Sequence, residues 1–314
     1  MKFLKNISLK KFSNFRIGGK AKYFFKAKNI SEIKKALVLA KQLKTKIFIL
    51  GGGTNILFND KGFNGLILIP EIKFIKKINK NTVRVGAGVK VKDFLNFLVK
   101  NELSGFEWAG GLPGTIGGAI RGNAGAFGGE IKDNLIQVKS IEINTLKEKT
   151  RNNKNCLFDY RFSIFKNKNV KEIILWADFK FKKVKKGKKE KILNAINEKI
   201  NYRKERHPIE YPNIGSIFKN VPVENFKKEF VEYFKNKNVI KTDPKPVIPV
   251  AFLISECGLK GKKYNNACIS AKHPNFIVNL GKAKAKDVKK LINLIQKKIK
   301  KQFQISLEKE IIEI

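Results

Sequence analysis

Glycine is unevenly spread along this chain of 314 residues, with 13 of its 24 glycines in 51–53 and 105–129. Gly51-Gly52-Gly53-Thr54-Asn55 follows the short apolar run Ile47-Phe48-Ile49-Leu50. The second stretch contains Gly110-Gly111-Leu112-Pro113-Gly114-Thr115-Ile116-Gly117-Gly118-Ala119. Glycines clustered after a strand let backbone N–H groups approach a diphosphate with no Cβ in the way. One such run alone reads as a tight connection between packed elements. Two of them, in a chain with no other ligand signature, read as two sides of a phosphate cradle. Other chemistries are missing by motif. No GxGxxG opens a helix, no GxxxxGKS/T is present, and Gly86-Ala87-Gly88 reads as a turn. His207 and His273 are the only histidines, and no His/Cys/Asp cluster has ligand spacing, so no catalytic metal is expected. GxSxG is absent, and neither histidine stands in a hydrolase-like context.

These loops must hang on regular elements. Ile33, Ala36, Leu37, Ala40 and Leu43 share a face of a helix over 31–44, which Ser31 or Asn29 can cap. A second amphipathic helix spans 90–101, with Val91, Phe94, Leu95, Leu98 and Val99 inward. Strands are expected at 47–50, 66–69, 82–85, 136–143 and 172–181. The Lys-rich stretch 183–191 reads as a solvated turn leading into a helix over 191–204. Six of the nine prolines then fall between 208 and 249, Pro244 among them, which places a domain boundary near 205–208. Beyond it come a helix at 223–235, a strand at 275–280, a helix at 285–303 and a strand over 305–314. No internal repeat is visible.

Composition narrows the class. Hydrophobic residues make up 42% and phenylalanines number 25, enough for two or three cores rather than a disordered chain. Cys156, Cys257 and Cys268 form no CxxC pair, which points to free thiols in a reducing compartment. No secretory signal follows the basic start, and the longest apolar runs are too short to span a bilayer. The chain is expected to be soluble and cytoplasmic. A net charge of +41 suggests nucleic acid when taken alone. Yet arginine supplies only seven of the 67 basic residues, and specific nucleic-acid readers lean on its bidentate fork. The lysines spread through nearly every segment, as a compositional bias filling solvated faces would leave them. Such a field still draws in an anionic substrate.

Read in order, the motifs resemble the flavin-binding loops of the UDP-N-acetylenolpyruvoylglucosamine reductase family. They are Gly51 to Leu57, Gly111 to Ala119, and Asn123-Ala124-Gly125-Ala126-Phe127-Gly128-Gly129-Glu130. Tyr160-Arg161-Phe162-Ser163-Ile164-Phe165, Gly215-Ser216-Ile217-Phe218-Lys219-Asn220 and Leu307-Glu308-Lys309-Glu310 agree in order and spacing. Phe15-Arg16-Ile17-Gly18-Gly19 and Lys272-His273-Pro274-Asn275-Phe276-Ile277-Val278-Asn279 also fit, so the resemblance runs from about residue 12 to 312. It implies an α+β protein: an FAD-binding fold of two α/β subdomains (1–70 and 71–205) and a smaller α/β substrate-binding domain (206–303). The strand 304–314 would return to the site. Ten positions separate Phe165 from Leu175, which matches the shorter form of the family.

The implied reaction is reduction of an enolpyruvyl ether of UDP-GlcNAc to UDP-N-acetylmuramate, with NADPH as reductant and non-covalent FAD between them. It is a step of peptidoglycan precursor synthesis. Hydride delivered to the terminal carbon leaves negative charge on the neighbouring carbon and its carboxylate, which Arg161 matches as the stabilising cation. Ser216 matches the proton donor. Glu310 matches the catalytic carboxylate, ahead of its neighbour Glu308; it is either protonated or works with Arg161 to polarise the substrate carboxylate. The resemblance assigns Arg16, Gly51, Gly52, Gly53, Thr54, Asn55, Gly111, Pro113, Gly114, Thr115, Gly117, Gly118, Asn123 and Gly125 to FAD. Lys219 and Asn220 would meet the diphosphate of UDP. Asn275 would line the site, with His273 beside it read as a satisfied structural histidine.

Three positions depart from the family pattern. Ile120-Arg121-Gly122 replaces an aromatic and a Met before Asn-Ala-Gly, Lys309 replaces a Pro between the two Glu, and Pro274 replaces a small residue. Two other readings remain at this stage: another flavoenzyme of the same superfamily, or a basic nucleic-acid-binding protein. The expected partners are the UDP-linked ether and NADPH, with no nucleic acid and no membrane. Purified protein should be yellow and release flavin on heating. Colourless protein with a steeply salt-dependent DNA affinity would select the binder instead.

Overall fold

Ile33, Ala36, Leu37 and Ala40 are buried on the helix Ile30–Gln42, the face that their spacing marks as inward. Asn29 caps it, its side chain accepting the Glu32 N–H at 2.9 Å. The computed structural model describes residues 2–185, 187, 189–242 and 245–314. Lys186 and Lys188 of the expected Lys-rich turn, Pro244 of the proline cluster, Asp243 and Met1 lie outside the described residues. The chain forms two units. One comprises Met1–Ile7, Ala21–Gly52 and Asn64–Arg203, the other Ser8–Lys20, Gly53–Phe63 and Lys204–Ile314.

In the first unit the helix Ile30–Gln42 connects two strands of a four-stranded sheet. The sheet order is Leu4–Ser8, Lys20–Ala27, Phe63–Pro70, Lys46–Ile49. The last two strands run parallel, with Lys46 opposite Gly65 and Ile49 opposite Leu68. The helix lays its apolar face on Leu66 and Leu68. A five-stranded antiparallel sheet follows, ordered Glu148–Asn152, Leu135–Glu142, Glu172–Lys180, Thr82–Gly86, Ile75–Lys77. Period-two alternation divides the long strand Glu172–Lys180. Ala177 and Phe179, with Phe181 just beyond the strand, face a core of phenylalanines, where the Phe94 ring lies 5.5 Å from Phe106 and 5.6 Å from Phe179. Asp178 points the other way and is nonetheless buried, because Arg84 on the adjacent strand grips it at 2.7 and 3.0 Å and Gln137 donates at 2.8 Å. The Arg84 guanidinium also covers the Trp176 ring at 3.8 Å.

The second unit is built around the helix Ala285–Phe303, whose Val288, Leu291, Ile292, Ile295, Ile299 and Phe303 are all buried. Its N-terminus is capped from far away in sequence: Asp60 accepts the Ala285 and Lys286 N–H groups at 2.7 and 3.0 Å. Two small sheets flank it, Val221–Pro222/Pro246–Ile248/Lys241–Thr242 and Lys263–Tyr264/Ala267–Ile269/Ile277–Asn279.

Two expectations change here. The helix expected over 223–235 is a short 3-10 turn, Val223–Asn225, then a helix Lys228–Asn236. Buried Phe226 in extended backbone interrupts the two. The strand expected over 305–314 reduces to Ile312–Glu313, paired parallel to Ile56–Leu57, and a single bridge from Lys309 to Phe218. Its apolar alternation is real, since Ile305, Leu307 and Ile311 are buried. No continuous ladder forms because the segment changes partner. Glu308 and Glu310 bond to Lys219 and Ile217, and Ile312 and Ile314 bond to Asn55 and Leu57.

Asp178→Ala removes the acceptor that brings Arg84 and Gln137 together. Arg84 keeps about a third of its side chain in solvent, so the loss should be about 1–3 kcal/mol rather than that of a fully buried pair. Urea unfolding checks it: the midpoint should fall for Asp178→Ala and fall less for Asp178→Asn. An unchanged midpoint in Asp178→Ala would show that the pair contributes nothing.

Candidate active site

The parallel pairing in the first unit ends where Leu50 donates to the Leu68 carbonyl at 2.9 Å, and Gly51 begins beyond it. A Cβ on Gly51 would stand 3.0 Å from Thr115 Oγ1, and one on Gly52 would stand 2.6 Å from the Gly114 Cα. The two glycine-rich stretches therefore lie backbone against backbone. Gly117 also serves packing: a Cβ there would stand 2.9 Å from the Ala87 Cβ, and its N–H donates to the Ala87 carbonyl at 2.9 Å. Gly118 differs, because its exposed Cβ position meets nothing nearer than Thr115 Oγ1 at 3.5 Å, an ordinary contact. Thr115 caps the helix Ile116–Gly122.

Amides are left over along both stretches. Among the described residues, the N–H groups of Gly51 through Asn55, and those of Gly111, Gly114 and Thr115, donate to no acceptor of the protein. The neighbouring carbonyls are engaged, Gly53 by Asn14 at 3.0 Å, Asn55 by Ile312 at 3.0 Å and Gly114 by Val91 at 3.1 Å. Consecutive donors on small residues, with no carboxylate in either run, suit the diphosphate of a dinucleotide such as FAD. Pro113 has no N–H to give and stands exposed between Gly111 and Gly114.

Arg161 sits at the tip of a tight turn closed by the Asp159–Phe162 pair at 3.0 and 3.2 Å, in left-handed backbone at φ 53°. Its guanidinium lies 5.1 Å from the Tyr160 ring, and a Cβ on Gly125 would stand 3.3 Å from its Nη1. Asn123, expected at the cofactor, is fully buried and its amide is engaged by the protein. It donates to the Asp159 carbonyl at 3.0 Å and accepts the Lys132 N–H at 3.2 Å. Ser163 adds a bond to the Arg121 carbonyl at 2.7 Å. Asn123 thus positions the Arg161 turn and offers no side-chain atom to a ligand.

In the second unit, Arg16 is exposed and held in left-handed backbone at φ 56° between buried Phe15 and Ile17. Ser216 follows Gly215, whose φ of 81° makes the turn into it. The backbone after Ser216 is pinned from two sides: Ile217 donates to the Asn275 carbonyl at 2.8 Å and accepts from Glu310 at 2.8 Å. The Ser216 hydroxyl makes no hydrogen bond to the protein among the described residues. Asn55 Nδ2 donates to the Glu310 carbonyl at 3.0 Å, which ties that segment to the first glycine run, and Thr54 stands half-buried beside it. Lys219 pairs with exposed Glu308 at 2.5 Å, and Asn220 Oδ1 accepts the Val250 N–H at 3.2 Å.

Asn275 is a correction to the substrate-binding expectation. It is 3% exposed, and its amide accepts the Phe218 N–H at 3.0 Å while donating to the Phe218 carbonyl at 2.9 Å. Both ends are engaged in holding the segment that carries Ser216. His273 is not satisfied as expected either. Its Nδ1 is buried without a hydrogen-bond partner, its ring lies 4.7 Å from Phe276 and 5.3 Å from His207, and burial pushes it down to about 4. It is therefore neutral at pH 7. Sequence reasoning missed Arg203, whose Nε donates to the Gly110 carbonyl at 2.8 Å; the scarcity of arginine was the available signal.

Comparison with known proteins agrees with this geometry. Residues 21–144 match the FAD binding domain family, and 207–314 match the family described as UDP-N-acetylenolpyruvoylglucosamine reductase, C-terminal domain. The UDP-N-acetylenolpyruvoylglucosamine reductase of Caldicellulosiruptor saccharolyticus is 36% identical over 99% of this chain and 91% of its own. That of Fusobacterium nucleatum subsp. nucleatum is 35% identical over 99% of both. The crystal structure of the Thermus caldophilus UDP-N-acetylenolpyruvylglucosamine reductase superposes with a TM-score of 0.76 at 27% identity, over 100% of this chain and 99% of that one. With an α+β fold of that kind and glycine loops whose donors suit FAD, the chain belongs to the UDP-N-acetylenolpyruvoylglucosamine reductase family.

Proposed function

We propose that Arg161, Ser216 and Glu310 carry the chemistry of this enzyme, and that the two glycine stretches hold its cofactor through backbone amides. The reaction is that of the family: NADPH-dependent reduction of UDP-N-acetyl-3-O-(1-carboxyvinyl)-glucosamine to UDP-N-acetylmuramate, a step of peptidoglycan precursor synthesis. FAD is the cofactor and, when bound, relays hydride from NADPH to the enol ether. The charge that develops on the substrate carboxylate calls for a fixed cation, and the Arg161 guanidinium is held on a turn that Asn123 and Ser163 brace from behind. Protonation of the neighbouring carbon calls for a donor whose proton is not already committed. The single observation that carries the reading is Ser216, with an unengaged hydroxyl on a backbone fixed by Asn275 and Glu310. Glu310, one backbone bond from the residue after Ser216, acts with Arg161 in polarising the carboxylate.

Lys219 and Asn220 are assigned to the diphosphate of UDP; Lys219 reaches it by exchanging its exposed partner Glu308 for a phosphate. Arg16 and the amides of Gly51 through Asn55, with those of Gly111, Gly114 and Thr115, are assigned to FAD, and Gly118, whose N–H donates to Thr115 Oγ1 at 3.4 Å, to its close approach. On this reading 1–70 and 71–205 are FAD-binding subdomains, 304–314 returns to the site and 206–303 holds the substrate. A cytoplasmic enzyme acting on soluble ligands, without nucleic acid or membrane, fits the diffuse spread of lysines. Among the described residues no helix is long and apolar enough to cross a membrane.

Gly118→Val is the informative cofactor variant, because Gly117→Val would collide with Ala87 whether or not a ligand is bound. Gly118→Val should keep the Tm of the apoprotein and lower FAD occupancy. Full FAD content in the folded variant would remove Gly118 from the cradle.

Ser216→Ala should leave flavin reduction by NADPH nearly intact and slow the second half-reaction by roughly 10²–10⁴-fold, the range of general acid catalysis. Stopped-flow absorbance of the flavin resolves the two steps. Reoxidation by substrate at the wild-type rate would exclude Ser216 as proton donor, and equal losses in both steps would make it structural.

A further inference from the structure

Where arginine persists in a chain so dominated by lysine, its planar fork is what lysine cannot replace. Arg84 and Arg151 show the ordinary use: each holds a buried carboxylate with two bonds, Asp178 at 2.7 and 3.0 Å and Glu172 at 3.1 and 2.6 Å. Arg203, at the end of the helix Lys189–Arg206 in the first unit, departs from that use. Its Nε is fixed on the Gly110 carbonyl at 2.8 Å, and a Cβ on Gly111 would come within 3.0 Å of its Cδ. Its guanidinium stands 5.2 Å from the Phe127 ring. Its Nη2 is buried and has no hydrogen-bond partner, and among the described residues no carboxylate pairs with it. Burial, and then the like charge of Arg161, hold its pKa below the ordinary arginine value. A desolvated fork arm without an acceptor is unfavourable in the empty protein and favourable once an anion supplies one.

We propose that Arg203 is the second guanidinium of the substrate-carboxylate site, its Nη2 taking an oxygen of the enolpyruvyl carboxylate that Arg161 polarises. The proposal rests on the reading of Arg161 above. A carboxylate has two oxygens and about four lone-pair sites, enough for two forks. Two other anionic groups of the reaction have donors assigned, the FAD diphosphate to the backbone amides of the glycine runs and the UDP diphosphate to Lys219, whereas the carboxylate has Arg161 alone. The carboxylate is also the group whose negative charge grows during the reaction, so a second fixed cation there favours the transition state over the ground state. Arg203 is anchored to the rigid glycine stretch at Gly110, which preorganises that cation.

The test titrates FAD-loaded wild-type and Arg203→Lys enzyme with enolpyruvyl-UDP-GlcNAc, and with UDP-GlcNAc, which lacks the carboxylate, following the flavin spectrum or competition. Arg203→Lys keeps the charge but not the fork, and should lose on the order of 10–100-fold in affinity for the enolpyruvyl compound, as the loss of one charge-assisted hydrogen bond does. Its affinity for UDP-GlcNAc and its rate of flavin reduction by NADPH should match wild type. Arg203→Gln, which can still donate to Gly110 but carries no charge, should lose at least as much. Equal losses for both sugars, with reduced FAD content or Tm, would confine Arg203 to its structural tie to Gly110 and overturn the proposal. A loss confined to the NADPH step would assign it to that cofactor's phosphates, with the same consequence. A wild-type flavin that enolpyruvyl-UDP-GlcNAc neither perturbs nor reoxidises would instead sink the functional reading, and this proposal with it.

Discussion

Two loop backbones meet at Gly52 and Gly114 closer than any side chain would allow, and the arrangement of both glycine-rich runs in the first unit depends on that approach. With a Cβ at Gly52, the runs 51–52 and 110–118 could not lie together. The approach also explains why the amides remain available. Residues this close in irregular backbone form no ladder with each other, and the N–H groups of Gly51 through Asn55, Gly111, Gly114 and Thr115 find no acceptor among the described residues. The glycines permit the packing, and the packing leaves donors in both runs.

The second unit solves a different problem, holding a small hydroxyl still without engaging it. Ser216 lies in irregular backbone, where loops ordinarily move. Here the residue after it is bonded on both sides, and the one after that is clamped at N–H and carbonyl by a single buried amide, Asn275. All of these bonds use backbone or the Asn275 side chain, and none uses the serine hydroxyl. The C-terminal segment closes the arrangement by changing partner midway, which lets one short stretch bond both the Ser216 region and Asn55.

Charge is organised on two scales. The many lysines give a diffuse positive field suited to attracting anionic nucleotides. The few arginines hold specific positions. Arg84 and Arg151 neutralise buried carboxylates, whereas Arg161 and Arg203 share one region of the first unit with like charge. The first arrangement stabilises the fold by itself. The second leaves the Arg203 Nη2 without a partner among the described residues, which is the observation behind the proposed carboxylate site.

Local pattern determined much of this protein. The 3.6-residue spacing of apolar side chains marks the helices Ile30–Gln42, Val91–Lys100 and Ala285–Phe303 almost to their ends, because burying one face depends on neighbours three and four residues apart. Glycine clustering likewise marks the two runs whose amides are left over, and the ordered motifs mark the family. What only the tertiary structure decided rests on bonds between residues distant in the chain. Asn123 and Asn275 look like ligand-binding amides in sequence, yet each is engaged by backbone 36 and 57 residues away. Arg203 acquires its place from Gly110, 93 residues earlier. The segment 305–314 alternates like a strand but divides between two partners. Side-chain type records what a residue can bond to, and spacing records which face it shares; neither records which distant backbone group will be waiting there.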